Sequence, residues 1–201
     1  MGLSKAVTET FQKEYKGKKS PDYEYKNIYR DRLIEFRKEP LSIVKVDKPT
    51  NIARARKLGY KAKQGIVVAR IRIRKGSGLH RRPTRGRRPK RMGVNKLTRR
   101  TSIKAIAERR VSKKFPNCEV LNSYFVGMDG LNYYYEVILV DTASPSIKSD
   151  RDLGWMTDRK HKGRAERGKT SAGKKARGQH KKGIGSEKAR PSVRAKGRKI
   201  K

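Results

Sequence analysis

The sequence is poor in acid, in cysteine, in histidine and in long apolar runs, and each shortage excludes something. A single cysteine, Cys118, leaves no disulfide framework and no cysteine-built zinc site. The three histidines, His80, His161 and His180, are scattered in basic surroundings and suggest no metal centre. No stretch approaches the ~18 apolar residues of a membrane-spanning helix, and the opening MGLSKAVTETF has no apolar signal-peptide core. Gly2 would suit a myristoylation start, but that pattern takes Ser or Thr at position 6, which here is Ala6. The chain therefore reads as intracellular, with no membrane partner.

What is present in excess is positive charge. Fifty-six Lys and Arg face 18 Asp and Glu in 201 residues, a formal charge of +38. Like charges at that density repel and destabilise a compact state, so a bound polyanion is expected, nucleic acid first. The charge is also segregated. From Arg70 to Lys114 there are 19 basic residues and one acid, Glu108. From Phe115 to Ile147 there is no basic residue, while Glu119, Asp129, Glu136 and Asp141 appear; from 151 to the end, 19 basic residues face four acids. This pattern predicts a neutral folded piece flanked by segments that follow an anionic partner.

The neutral piece reads as a hairpin. CEVLNSYFVG and LNYYYEVILVD are rich in β-branched and aromatic residues, with turn residues in GMDG between them. In the second strand Tyr133, Tyr135, Val137 and Leu139 share one face, and Tyr134, Glu136, Ile138 and Val140 the other, so both faces are expected to be covered. GIVVARIRIRKG is a further strand, with Ala69, Ile71 and Ile73 on one face and Arg70, Arg72 and Arg74 on the other. Three like charges about 7 Å apart with no acid among them predict a face that meets phosphates. LSIVKV, residues 41 to 46, is an additional strand.

Helices fill the gaps. SPDYEYKNIYRDRLIEFRK predicts a helix with Ser20 as N-cap, Pro21 at the first position and Asp22 beside it. TNIARARKLG has Thr50 as cap and Gly59 as terminator. TSIKAIAERRVSKKF places Ile103, Ile106, Ala107 and Val111 on one face, with basic residues around the rest. The expected fold is α+β, a small mostly antiparallel sheet with packed helices in β-α-β-α-β-β order from residue 41 to 141. The domain reading is an N-terminal helical segment at 1–40, a core at 41–147, and a basic Gly-rich extension at 148–201 that orders only on RNA.

Residues 74 to 100 form a loop too long and charged for packed structure. Its Arg-rich content suits bidentate phosphate contact, which marks Lys75, Arg81, Arg82, Arg85, Arg87, Arg88, Lys90, Arg91, Arg99 and Arg100 as candidate RNA contacts. In the extension, GRAERGKT (163–170) matches the G-x-x-x-x-G-K-[ST] pattern of a nucleotide-binding phosphate loop. That motif needs a buried strand before it and a helix after it. Here WMTDRKHK precedes it, and glycines recur at 163, 168, 173, 178 and 183, so frequent that a stable helix is not expected. The reading is an extended arm without apolar burial, disordered until bound, in which Lys160, Lys162, Arg164 and Arg167 are further candidate contacts. Trp155 and Tyr60, set among basic residues, either stack on bases or anchor their segments. Tyr124, Phe125 and Tyr133 to Tyr135 read as sheet core.

RARKLGYKAKQGIVVARIRIRKG (54–76), GVNKL (93–97), VLNSYFVG (120–127), YEVILVD (135–141) and GKTSAGKKARG (168–178) resemble the archaeal and eukaryotic ribosomal protein fifteen of the large subunit. This is the L15e family, unrelated to the bacterial protein that shares its number. The resemblance implies a structural ribosomal protein buried in large-subunit rRNA beside neighbouring ribosomal proteins, with no enzymatic activity and no cofactor or small-molecule substrate. Carried over by motif, it implies RNA contacts at Arg54, Arg56, Lys57, Lys61 and Lys63, at Arg70, Arg72 and Arg74, and at Lys169, Lys174, Lys175 and Arg177. A DNA-compacting nucleoid or chromatin protein would explain the charge alone. Such proteins need a groove-reading element or dimer interface, which the sequence does not display, and RNA offers the irregular loops a long Arg/Gly segment can follow.

Overall fold

The computed structural model describes residues 2–21, 23–95, 97–99, 101–180, 183, 186 and 187. Asp22, Arg100 and the final KARPSVRAKGRKIK (188–201) lie outside them.

A four-stranded, fully antiparallel sheet organises the chain. Its strands are β1 (Ile43–Val46), β2 (Ile66–Arg74), β3 (Cys118–Met128) and β4 (Asn132–Asp141), in the order β1-β2-β4-β3. The sequence assigns these places by its apolar content. NYYYEVILVD can bury both faces and takes a central position, while β1 and β3 form the edges. The β3–β4 turn is closed by Asp129, whose carboxylate accepts the N–H groups of Leu131 at 2.8 Å and Asn132 at 2.6 Å. Register shifts between Val120 and Asn122 and between Phe125 and Gly127 bend β3 at the open edge.

Helices cover both faces. On one, α4 (Ile103–Lys114) sets Ala107 and Val111 against Ala69, Ile71, Ile73, Val137 and Leu139. On the other, α2 (Tyr25–Lys38) and α3 (Ile52–Lys57) set Leu33, Phe36 and Ala55 against Tyr124, Tyr134 and Ile138. The N-terminal helical segment at 1–40 packs through α2 on the sheet, and α1 (Leu3–Lys16) packs on α2, tied by Arg32 to Glu14 at 2.7 Å.

Helix boundaries differ from the sequence expectation where tertiary structure competes. The second helix begins at Tyr25 behind Glu24, not at Pro21 behind Ser20, because the residues after Gly17 form the reversal that lays α1 along α2. Asn51, not Thr50, caps α3 by accepting the Arg54 N–H at 2.8 Å, since Thr50 is drawn to Glu136. In α4 the buried face is Ala105, Ala107, Glu108 and Val111, with Ile103 and Ile106 only partly covered.

The largest difference lies after Asp141. Helix α5 (Pro145–Lys148) and two 3₁₀ turns, Gly154–Thr157 and Arg159–His161, bury Ile147, Leu153 and Met156 against Val140. The chain then runs back across the sheet, where Ala165 joins the α4 cluster, and ends its described helices with α6 (Ser171–Ala176). The expectation of an arm with nothing to bury, and no helix near the glycines, is therefore corrected. A few isolated apolar residues, without periodicity, suffice because the sheet already offers a surface.

A candidate nucleic-acid interface

Carboxylates inside the fold decide which cations are left to face outward. Glu136, fully buried on β4, accepts the Thr50 N–H at 3.0 Å and is also hydrogen-bonded by the Thr50 and Tyr124 hydroxyls. Burial and that adjacent carboxylate push the Tyr124 phenol far above its ordinary value. Directly across the ladder, Arg70 approaches Glu136 at 3.7 Å, pairs with Glu39 through Nε at 3.2 Å, and lies 3.9 Å over the Phe36 ring. Its side chain is only 13% exposed. Arg72 donates to the carbonyls of Arg37 and Glu39 at 3.3 Å. The arginine face of β2 therefore lies under α2 instead of standing open, and only Arg74 is exposed. Acids distant in sequence supply what the strand itself lacks.

Lys61 and Lys63 are likewise engaged. Lys61 meets Asp152 at 2.7 Å and Asp150 at 3.0 Å, and Lys63 meets Asp150 at 2.8 Å and the Ser146 carbonyl at 2.8 Å. The bonds from Lys63 and then Lys61 hold the Asp150 carboxyl well below the usual carboxylate range. These pairs fasten the chain before β2 to the start of the C-terminal segment.

Two more buried carboxylates receive that segment. Glu119 accepts the backbone N–H groups of Gly163 at 2.7 Å and Arg164 at 3.3 Å. Glu108 accepts Ser123 Oγ at 2.5 Å and Thr170 Oγ1 at 2.6 Å, and Thr170 in turn caps α6 by accepting the Gly173 N–H at 3.2 Å. The regular glycines have a structural meaning here. Gly163, Gly168, Gly178 and Gly183 adopt positive φ of 63°, 65°, 70° and 115°. Gly173 does not, but a Cβ there would sit 2.4 Å from the Gly168 Cα, so α6 packs backbone to backbone on the preceding turn. The residues of the apparent phosphate loop are thus spent internally: Lys169 donates to the Lys160 carbonyl at 2.5 Å and Thr170 ties α6 to α4.

Around this frame the candidate contacts separate by exposure. Arg54, Arg56 and Lys57 project from α3, exposed and without an acidic partner among the described residues. So do Arg81, Arg82, Arg85, Arg87, Arg88, Lys90 and Arg91 in the long loop, and Lys162, Lys174 and Lys175 in the C-terminal segment. Lys160 is exposed but meets Asp158 at 2.6 Å. Arg177 and Arg167 are exposed yet lean on carbonyls, Arg177 on Gly168 and Arg167 on Lys160 at 2.7 Å. Lys75 lies 5.2 Å over the Tyr133 ring. The loop closes at its base where Arg99 donates to the carbonyls of Gly76 at 2.6 Å and Arg74 at 2.8 Å. Its two arms enclose an open concavity of about 950 Å³ bounded by His80, Arg81, Asn95 and Arg109.

Among the described candidates Arg164 alone is buried, 4.8 Å over the Trp155 ring, and burial lowers its pKa against the opposing pull of Glu119 and Glu108. Trp155 remains 40% exposed. Tyr60 packs partly buried against the cluster that holds Ala55, Tyr124 and Ile138, an anchor for its segment. Tyr124 and Tyr134 are core as expected, whereas Phe125 is 37% exposed at the β3 edge between Tyr15 and Tyr135.

The family profile described as Ribosomal L15 matches residues 7–196, nearly the whole chain. The chain belongs to the L15e family of ribosomal proteins. The large ribosomal subunit protein eL15 of Methanocella arvoryzae is 59% identical over 172 residues, covering 86% of this chain and 87% of its own. That of Methanospirillum hungatei is 53% identical over 176 residues, covering 88% and 89%. L15e is a family of ribosomal proteins, not of enzymes. In this L15e chain, sequence reasoning passed over Lys104, Arg109 and Arg110 on α4. Lys104 stands four residues before Glu108, the spacing of an ordinary helix ion pair, but Glu108 turns inward to Ser123 and Thr170 and leaves the lysine without that partner.

Proposed function

We propose that this chain is a structural constituent of the large ribosomal subunit that binds rRNA and stabilises its fold. Membership of the L15e family and the names of the relatives support a ribosomal role. The observation that carries the RNA reading is the sorting of cations: those near carboxylates are consumed in the fold, and the unpaired remainder project from α3, the loop at 74–99 and the segment around α6. A structure that ends with its surplus cations outward needs a polyanion to complete it. The body docks on one rRNA surface. The loop and the chain from about residue 148 reach between RNA helices, where their guanidinium and ammonium groups neutralise phosphates that otherwise repel. Neighbouring large-subunit proteins and a cytoplasmic location follow from that placement.

Sedimentation of native lysate through sucrose, followed by a high-salt wash of the separated subunits, tests this. Co-migration with the large subunit and resistance to the wash are expected. Release by the wash, or sedimentation with DNA, would sink the reading in favour of a nucleoid role.

A further inference from the structure

We propose that Trp155 is a stacking platform for one unpaired base of a bound RNA strand. The proposal rests on the RNA reading above and names within it a residue that meets a base instead of a phosphate. The 3₁₀ turn Gly154–Thr157, which carries the indole, is anchored without it. Leu153 and Met156, which flank the ring in sequence, are buried in one cluster with Val140 and Ile147, whereas Trp155 stays 40% exposed. Three contacts nevertheless fix the ring. Its Nε1–H donates to the Asp152 carbonyl at 2.8 Å. The His161 ring meets it at an interplanar angle of 78° with centroids 4.8 Å apart, and the Arg164 guanidinium lies 4.8 Å from its centroid. A large aromatic ring held in one orientation yet left in solvent loses little freedom when a base stacks on it.

The face open to a base is the one away from Arg164. That residue is buried, its Nη1 reaches the Met156 sulfur at 3.6 Å, and its buried Nε has no hydrogen-bond partner among the described residues. The guanidinium therefore lies inward of the indole, whose electron-rich face compensates its charge. The adjoining turn is cationic, which favours RNA over an apolar protein segment. The Lys160 carbonyl, next to His161, accepts Arg167 Nη2 at 2.7 Å and Lys169 Nζ at 2.5 Å. Arg167 spends only Nη2 on carbonyls, those of Lys160 and Lys162, so its Nε and Nη1 remain for a phosphate. Burial and then the charges of Arg164, Lys160 and Lys169 lower the pKa of His161, with Asp158 alone opposing them. The acids that flank Trp155 in sequence are already matched, Asp158 by Lys160 at 2.6 Å and Asp152 by Lys61 at 2.7 Å.

Trp155 is the one tryptophan of the chain, so its emission, excited to the red of the tyrosines, reports on this place directly. The full chain is titrated with polyuridylate and, separately, with heparin, a polyanion without bases. Polyuridylate is expected to quench the emission and to shield the indole from acrylamide, and heparin to bind with neither effect. Trp155→Ala is expected to bind polyuridylate about tenfold more weakly. Its slope of log affinity against log salt should stay at the wild-type value, because a stacked ring releases no counterion. Trp155→Phe, which keeps a ring over Arg164, is expected to recover most of the affinity and to melt as the wild type does. Polyuridylate that binds without altering emission or acrylamide access would overturn the proposal, keep the RNA reading and leave the indole to a neighbouring protein. Equal quenching by heparin, or a slope that falls with the affinity in Trp155→Ala, would overturn it as well, since the ring would then serve only to position cations. The emission measurements use the unaltered chain and stand even where the Ala variant fails to fold. A wild-type chain that does not bind polyuridylate at all would sink the RNA reading itself.

Discussion

A buried carboxylate in a chain of +38 is a scarce resource, and its removal should be felt far more than that of a cation. Glu136 holds Thr50, Tyr124 and Arg70 at once. Glu136→Ala would leave these groups buried without their acceptor, and we expect a loss of about 3–5 kcal/mol, measured by thermal or urea unfolding of the free chain. Asp150 gives a prediction of opposite character, because it is tied by Lys63 and Lys61 near the surface. Its carboxyl titrates below the ordinary carboxylate range, so its contribution is fully present above the unfolded value of about 3.9 and is lost as pH falls through the lower folded value. Protection factors for amide exchange around Asp150 to Leu153, taken relative to the intrinsic rate at each pH, should therefore be unchanged from neutral pH down to the ordinary carboxylate range and fall only in stronger acid. Replacing both lysines by Met should move that onset up to the ordinary range. An onset that stays in place would show that the lysines do not set it.

At the scale of elements, the glycines of the C-terminal segment divide into two kinds that one measurement separates. Gly163→Ala meets no atom within 4 Å and bears only the left-handed φ of 63°, a penalty of about 1–2 kcal/mol. Gly173→Ala drives a Cβ into the Gly168 backbone, so α6 should detach, with the amides of residues 171 to 176 losing protection while those of β2 and β4 keep theirs. Equal behaviour of the two variants would count against backbone packing at Gly173. These elements also show what the sequence could reveal. β2 and β4 were legible because alternation and β-branched content survive any tertiary setting, and the paired faces of β4 fell as expected. The caps at Ser20 and Thr50 were not, because a chain reversal and a distant carboxylate outbid local preference. Helix α6 was illegible for a different reason: Leu153, Met156, Ala165 and Ala172 are each isolated in sequence, and burial that depends on a surface built elsewhere leaves no period to read. The partners of the arginine row of β2 were illegible for the same cause, since Glu39 and Glu136 come to it only through the fold. The family blocks were legible throughout, as the match over residues 7–196 shows.

For the molecule as a whole, charge that is paired and charge that is free should part company in solution. Arg70→Ala removes a cation held by Glu39, Glu136 and the Phe36 ring; we expect it to lower the melting temperature and leave the salt dependence of RNA binding nearly unchanged. Arg88→Ala, exposed in the loop, should do the reverse, leaving the melting temperature alone and reducing the slope by about 0.7 if it meets a single-stranded phosphate. Titrations at several salt concentrations, beside melting curves for the same two variants, check both halves. The folding of the C-terminal segment onto the sheet has one further consequence, and it concerns encounter. A loose basic arm captures a partner by sweeping a large volume and then reeling it in. A segment fixed at Glu119, Glu108 and the Gly168–Gly173 contact has no such reach through residue 180. First contact by this body is therefore governed by the long-range field of a preset cationic surface, which orients the approach before anything touches.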